Sequence, residues 1–168
     1  MFIKISILRK DFMSYQIIEK QKTIPTYWHT EIKVKHIGFY PYDKEYEEKD
    51  ITELLISQII DQIPKGIEVR FSRNPYGEDD FLEVICDGKW LALAYCGENG
   101  QEVVYSYSAD FFHGDFMAMD NLTPLTSGGQ SPIPKFFATQ DIEAGIEAVR
   151  YFVWTGALYP GIDWVKEL

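Results

Sequence analysis

The chain has 168 residues, 46% of them apolar and 15% aromatic, which excludes intrinsic disorder and is enough for one buried core. No apolar run approaches the roughly 20 residues that a membrane span requires. The net charge is −10, divided into +4 over residues 1–40 and −14 over residues 41–168. Because an acidic surface repels phosphate backbones and anionic membranes, we expect neither nucleic acid nor membrane as a direct partner.

The N-terminal quarter predicts strands followed by a loop. Residues 1–8 are apolar around one lysine and lack a small-residue cleavage site, so they indicate a first strand and a cytoplasmic protein. Residues 30–37 alternate polar and apolar side chains with period two, which is typical of a half-buried strand. The charged, tyrosine-bearing residues 39–49 are interpreted as a loop.

An amphipathic helix is predicted next. Asp50 suits the N-cap, with Glu53 at the third helical position, and residues 64–66 (Pro-Lys-Gly) end the helix. The apolar positions that we expect to form one stripe are Ile51, Leu54, Leu55, Ile59 and Ile63.

Between residues 67 and 107 the period changes to two and turn residues become frequent. This pattern predicts four strands, at residues 67–72, 81–86, 90–95 and 103–107. Asp-Gly at residues 87–88, between two apolar runs, is the strongest short-range hairpin signal. Successive short connections favour an antiparallel meander.

The last part of the chain begins with an aperiodic stretch, residues 108–138, which we expect to be irregular. A second helix is predicted over residues 141–155, capped by Thr139 and ended by Gly156. A short strand over residues 161–165 follows, with Trp164 in the core. The fold class is therefore α+β, a single domain over residues 1–168 with two amphipathic helices packed on an antiparallel meander sheet.

Neither cysteines nor histidines indicate a metal or cofactor. Cys86 and Cys96 lie in predicted neighbouring strands, and free thiols are expected in a reducing compartment. The three histidines are far apart, and none has a partner at ligand spacing. No nucleophile lies beside His113-Gly-Asp115, so we expect no catalytic site there and no cofactor.

Two acidic clusters supply the candidate binding residues. One lies between residues 42 and 50 and contains two tyrosines, and the other lies in the turn before residue 81. Neither has the glycine-punctuated loop of a calcium site. One interpretation of these clusters is a simple solvated face. The functional interpretation is a docking surface, since carboxylates steer a basic partner and tyrosines anchor it. The candidates are Tyr42, Asp43, Glu45, Tyr46, Glu47, Glu48, Glu78, Asp79 and Asp80.

The C-terminal part of the chain resembles a known family. Residues 141–156 (DIEAGIEAVRYFVWTG) and then 160–164 (PGIDW) are similar to the signature ending of the polymorphic-toxin immunity family numbered one. In that family an amphipathic helix ends in a Phe-containing turn and Gly, and a Pro and a short strand with a near-terminal Trp follow. The upstream residues 81–95 resemble the family's central hairpin, so the resemblance covers residues 67–168. The residues that carry the signature are Phe152, Gly156, Pro160 and Trp164.

The resemblance implies a protein that binds a cognate bacterial toxin domain and obstructs its active site, without catalysis of its own. Partners in that family are often nucleases or nucleic-acid deaminases, whose grooves are basic, and the acidic residues 41–168 suit such a partner. Two alternatives stay open. One is a small enzyme with catalytic carboxylates among Glu78, Asp79, Asp80 and Glu83, and the other is a regulatory adaptor of the same fold.

Overall fold

The structure, a computed structural model, describes residues 5–10, 13–41, 43–111 and 118–168. Within these residues, ten strands form one antiparallel sheet, two form a separate hairpin, and two α-helices are present, which confirms the predicted α+β class. The helices are α1 (Glu53–Gln62) and α2 (Ile142–Thr155). The strands are β1 (Ile5–Lys10), β2 (Met13–Ile18), β3 (His36–Phe39), β4 (Lys44–Glu47), β5 (Ile67–Ser72), β6 (Phe81–Cys86), β7 (Leu91–Cys96), β8 (Val103–Ser106), β9 (Leu122–Ser127), β10 (Ser131–Pro134), β11 (Ala138–Thr139) and β12 (Trp164–Glu167).

The sheet order is β1-β2-β12-β8-β7-β6-β5-β3-β4, with β11 paired to β7. The predicted meander is confirmed, since β5, β6, β7 and β8 pair consecutively and antiparallel. The last strand, β12, lies between β8 and β2, where Trp164 pairs with Ser106 on one side and Ile18 on the other. The two ends of the chain therefore meet inside the sheet.

The main core lies between the sheet and the two helices. Alternate residues of the meander point toward α1 and α2, including Phe71, Leu82, Val84 and Leu93, none of which is exposed to solvent. The other residues of these strands lie on the opposite side, which we call the distal face. That face is partly covered by the β9–β10 hairpin and by residues 136–138, which form two smaller apolar clusters with it.

Helix α1 differs from its prediction in its N-cap and at one of the five predicted apolar positions. The N-cap is Thr52, whose hydroxyl accepts the Leu55 N–H at 3.1 Å, so the prediction of Asp50 was wrong by two residues. Of the five predicted apolar positions, Ile59 and Ile63 are buried and Ile51 and Leu55 pack partly buried against the core, whereas Leu54 is 68% exposed. The buried stripe also includes Ile56 and Ile60, which the prediction left out.

Two predictions around β3 and β4 were also wrong. Residues 30–35 do not pair within the sheet; the Lys33 N–H donates to the Val153 carbonyl and the Lys35 N–H to the Ser72 carbonyl. This segment crosses from α2 to β5 and pairs as a strand only from His36 onward. Within residues 39–49, predicted as a loop, β4 forms the edge of the sheet and is followed by a 3-10 turn, Glu48–Asp50.

The stretch 108–138 is more ordered than predicted. It contains the β9–β10 hairpin, whose turn places Gly128 and Gly129 at positive φ, and the 3-10 turn Lys135–Phe137. Residues 112–117 lie outside the described part of the chain. Strands β9 and β10 were not predicted because both contain proline, which cannot donate a hydrogen bond to a sheet ladder.

Helix α2 and the chain end largely follow prediction. Asp141, and not Thr139, caps the helix by accepting the Ala144 N–H at 3.1 Å. Gly156 adopts the predicted left-handed conformation at φ 73°, and its N–H donates to the Phe152 carbonyl. The final strand, β12, begins and ends later than predicted, but Trp164 is buried as expected, at 2% exposure.

Both thiols are free, as expected. Because Cys86 pairs with Leu91 and Cys96 with Phe81, the two cysteines lie at opposite ends of the β6–β7 ladder. Of the helices formed by the described residues, none has the length and apolarity needed to cross a membrane.

Candidate functional site

The first acidic cluster lies on the edge strand β4 and the 3-10 turn after it. Glu45 and Glu47 are exposed and alternate with Tyr46, which points to the opposite face of the sheet. Tyr46 packs edge-on against Phe39 at 6.3 Å between ring centroids, so it joins the core and is only partly exposed. Asp43, Glu48 and Asp50 are exposed, whereas Tyr42 lies outside the described residues.

The second acidic cluster divides into one exposed carboxylate and two that hold the turn together. Asp80 is 8% exposed and accepts hydrogen bonds from both Arg73, at 2.7 Å, and the Tyr95 hydroxyl, at 2.9 Å. Burial, and next the hydrogen bond to Asp80, raise the pKa of Tyr95 to about 12. Asp79 accepts the Asn74 side-chain amide at 2.7 Å. Of the three carboxylates, Glu78 alone is exposed.

The fold brings β4 and the β5–β6 turn, which carry the two clusters, onto one side chain, His36. His36 on β3 pairs with Glu47 on one side and with Ser72 on the other, and its Nε2 lies 3.8 Å from a Glu45 carboxylate oxygen. The β5–β6 turn packs on the same imidazole at Gly77, where φ is +72° and a Cβ would collide with the ring. Glu78 follows directly. We define the composite acidic surface as the exposed carboxylates Asp43, Glu45, Glu47, Glu48, Asp50 and Glu78.

A cleft of about 370 Å³ lies on the distal face beside this surface. Its floor is formed by outward-facing residues of β5 to β8, and its wall by β10 and Phe137. Phe137 stacks on Tyr105 with 4.3 Å between ring centroids, which fixes one side of the wall. The lining is mainly apolar, and the volume lies within the roughly 300–1,000 Å³ typical of binding pockets.

One buried ion pair lies in the cleft. Glu83 is 6% exposed; one carboxylate oxygen accepts the Arg70 Nε–H at 2.9 Å and the other the Ser127 hydroxyl at 3.0 Å. The Arg70 guanidinium also lies over the Phe81 ring, 4.6 Å from its centroid. Because Ser127 ends β9, this carboxylate fastens the hairpin to the sheet.

A second carboxylate, Glu68, fastens the same hairpin by accepting the Gly128 N–H at 2.7 Å. Burial raises the pKa of Glu68 above its ordinary value, against the lowering effect of this hydrogen bond. Ionisation of Glu68 is therefore less favourable in the folded than in the unfolded chain. As a result, the free energy of unfolding falls as the pH rises through the folded-state pKa of Glu68.

Glu68→Gln removes this titration while keeping an oxygen that can accept the Gly128 N–H. We expect the free energy of unfolding of the wild type, relative to Glu68→Gln, to fall as the pH rises from about 4, the ordinary pKa of a glutamate, toward neutrality. Urea unfolding of both proteins across this range measures the difference. Glu143→Gln, at an exposed position, controls for loss of one surface charge. Parallel pH curves for wild type and Glu68→Gln would contradict the prediction.

The carboxylates of the enzyme alternative are all engaged within the chain except Glu78. Asp79, Asp80 and Glu83 each accept at least two hydrogen bonds from neighbouring groups, and these bonds order the β5–β6 turn and the hairpin. Sequence reasoning missed these roles. Arg73 and Asn74, which lie across the turn from the two aspartates, were the available signal.

The histidines and the metal question have simple outcomes. His29 stacks on Trp154 with 4.5 Å between ring centroids and 4° between planes, and His113 lies outside the described residues. No group of three or more His, Cys, Asp or Glu side chains suited to a metal ion occurs among residues 5–10, 13–41, 43–111 and 118–168.

The residues of the C-terminal signature are structural in this fold. Phe152 is buried beneath the sheet, and its carbonyl accepts the Gly156 N–H that closes α2. The Pro160 carbonyl accepts the Gln21 N–H, which ties the N-terminal segment to the chain end. The Trp164 indole donates to the Tyr159 carbonyl at 2.7 Å. No protein-family model and no curated protein sequence matches this chain.

Proposed function

We propose that the chain is an immunity protein that binds a cognate bacterial toxin domain and obstructs its active site. The toxin domain is of the kind that acts on nucleic acid, a nuclease or a deaminase, and so carries a basic groove. The chain itself acts by stoichiometric binding and not by turnover.

The observation that carries this proposal is the composite acidic surface. Its six carboxylates come from residues 43–50 and from Glu78, and the contacts of Glu45 and Gly77 with the His36 ring bring β4 and the β5–β6 turn together. Residues 43–50 contain five carboxylates and two lysines, Lys44 and Lys49. A basic groove that evolved to hold phosphates is electrostatically complementary to such a surface.

The signature residues support the same proposal in a different way. Each has a specific structural role in one continuous unit, the end of α2, the connection after it and β12. The resemblance therefore concerns the end of α2, the connection and β12. The binding surface is proposed from the charge distribution instead.

Co-expression tests the proposal. The toxin domain encoded directly upstream of this chain should arrest growth when it is produced alone in a naive host. Growth should return when the chain is produced with it, and the two proteins should co-purify in equal amounts. Survival without co-purification would favour a catalytic or regulatory role, and arrest that persists despite soluble chain would contradict the proposal.

A further inference from the structure

We propose that the distal-face cleft receives an apolar side chain of a basic partner, so that the chain recognises an apolar residue flanked by cationic ones. This inference rests on the proposed function for the identity of the partner as a toxin domain. The cleft itself rests on its own geometry.

The cleft is a concave site of about 370 Å³, so it can enclose an apolar side chain in a way that a flat surface patch cannot. Ala92 and Ala94 on β7 are small, so the floor is low where neighbouring strands carry Phe81 and Tyr105. Three polar side chains of the cleft are already paired with each other, because Arg70 and Ser127 both bond Glu83. An apolar occupant therefore leaves this ion pair undisturbed.

The turn that follows the cleft at the end of β7 is acidic, which determines the chemistry that flanks the occupant. Cys96 lines the cleft and is the last residue of β7, directly before this turn. The turn carries the exposed Glu98, and the Asn99 N–H in the same turn donates to Asp79 at 2.9 Å. Cationic residues beside an apolar anchor would therefore meet carboxylates on the rim.

The composite acidic surface continues this rim along the sheet. Arg70 pairs with Gly38, which in turn pairs with Glu45, so only a glycine on β3 separates the Arg70 side of the cleft from the β4 carboxylates. A single basic partner can therefore reach the cleft and the composite acidic surface together. Anchor pockets next to charged steering groups are the usual arrangement of tight protein interfaces.

Two pentapeptides, each acetylated and amidated at its ends, test the cleft without any toxin. Their sequences are Lys-Lys-Phe-Lys-Lys and Lys-Lys-Ser-Lys-Lys. The Phe peptide should bind at least about ten-fold more tightly, the ratio expected from burial of one large apolar side chain. It should also slow the reaction of Cys96 with Ellman's reagent, whereas Cys86, at 4% exposure, serves as the internal unreactive thiol. Equal affinity of the two peptides, or no protection of Cys96, would overturn the proposal.

A cleft-filling variant tests the same site against the toxin domain. Ala94→Phe places a ring in the floor and should speed dissociation of the complex by about ten-fold or more. Ala157→Phe, at an exposed position after α2, is the matched control. If wild type binds the toxin and Ala94→Phe dissociates no faster, the cleft proposal fails while the proposed function stands. If wild type does not bind the toxin, the proposed function fails, and the peptides still decide the cleft.

The peptide experiment also separates a second class of occupant. Indole is a neutral apolar molecule that fits the cleft without needing the acidic rim. Protection of Cys96 by indole, with no protection by the Phe peptide, would assign the cleft to a small molecule and overturn the proposal. If Ala94→Phe fails to fold, the wild-type peptide and thiol measurements remain decisive.

Discussion

Replacing Trp164 with alanine should lower the free energy of unfolding by about 3–5 kcal/mol, the usual cost of removing a buried tryptophan. Trp164 is 2% exposed, and its strand joins β8 to β2, so the side chain packs where the two ends of the chain meet. The substitution also removes the indole N–H that satisfies the Tyr159 carbonyl at 2.7 Å. Both losses act on the fold and neither on an exposed surface.

Urea unfolding followed by far-ultraviolet circular dichroism measures this loss. Trp28→Ala is the matched control, because Trp28 is 73% exposed, and we expect it to change stability by no more than about 0.5 kcal/mol. The folded fraction of Trp164→Ala should bind partner as wild type does. A variant that unfolds like wild type but no longer binds would mean that Trp164 belongs to the interface and not to the core.

Neutralising the composite acidic surface should slow association with the proposed toxin partner by about ten-fold or more at low salt, within the range of electrostatic steering. The suitable substitutions are Glu45, Glu47, Glu48 and Glu78 to Gln. All four side chains are exposed, so the fold should survive. Asp79 and Asp80 are left intact, because their hydrogen bonds to Asn74 and Arg73 hold the β5–β6 turn.

Stopped-flow association across a salt series measures this effect. The wild-type rate should fall steeply as salt rises, since exposed charges are screened beyond about 10 Å at about 0.1 M salt. A control with Glu19, Glu53 and Glu143 changed to Gln and Asp61 to Asn removes the same charge from exposed positions elsewhere. It should associate at nearly the wild-type rate. Equal slowing by both variants would mean that only total charge matters.

The sequence was sufficient for elements whose pattern comes from burial on one side. Strands β5 and β6 begin and end where the alternation predicted, and β7 is displaced by one residue. Helix α2 was predicted because its apolar positions form one stripe and Gly156 marks its end. In these elements the local pattern and the tertiary packing agree.

Errors arose where the local pattern allows two outcomes. The charged edge strand β4 has one partly buried residue, Tyr46, and such a strand has the composition of a loop. Asp50 and Thr52 are both good caps two residues apart, and the hydrogen bond to Leu55 selects Thr52. Only packing on the sheet distinguishes these alternatives.

The candidate site was predictable in composition and not in arrangement. The sequence identifies the carboxylates, but whether each is exposed depends on distant partners, as Tyr95 shows for Asp80. The cleft was not predictable, because it forms only where the β9–β10 hairpin packs over β6 and β7. Long-range packing of this kind leaves no periodic signal in the sequence.

The proposed stoichiometric obstruction is tested most directly by titrating the proposed partner, a toxin domain, with this chain. With the toxin held well above the dissociation constant, its activity on nucleic acid should fall linearly and reach zero at about one equivalent of chain. The composite-surface variant should require more chain or more time to reach the same loss. Toxin activity that persists with excess folded chain, or that disappears at a small fraction of one equivalent, would contradict the account.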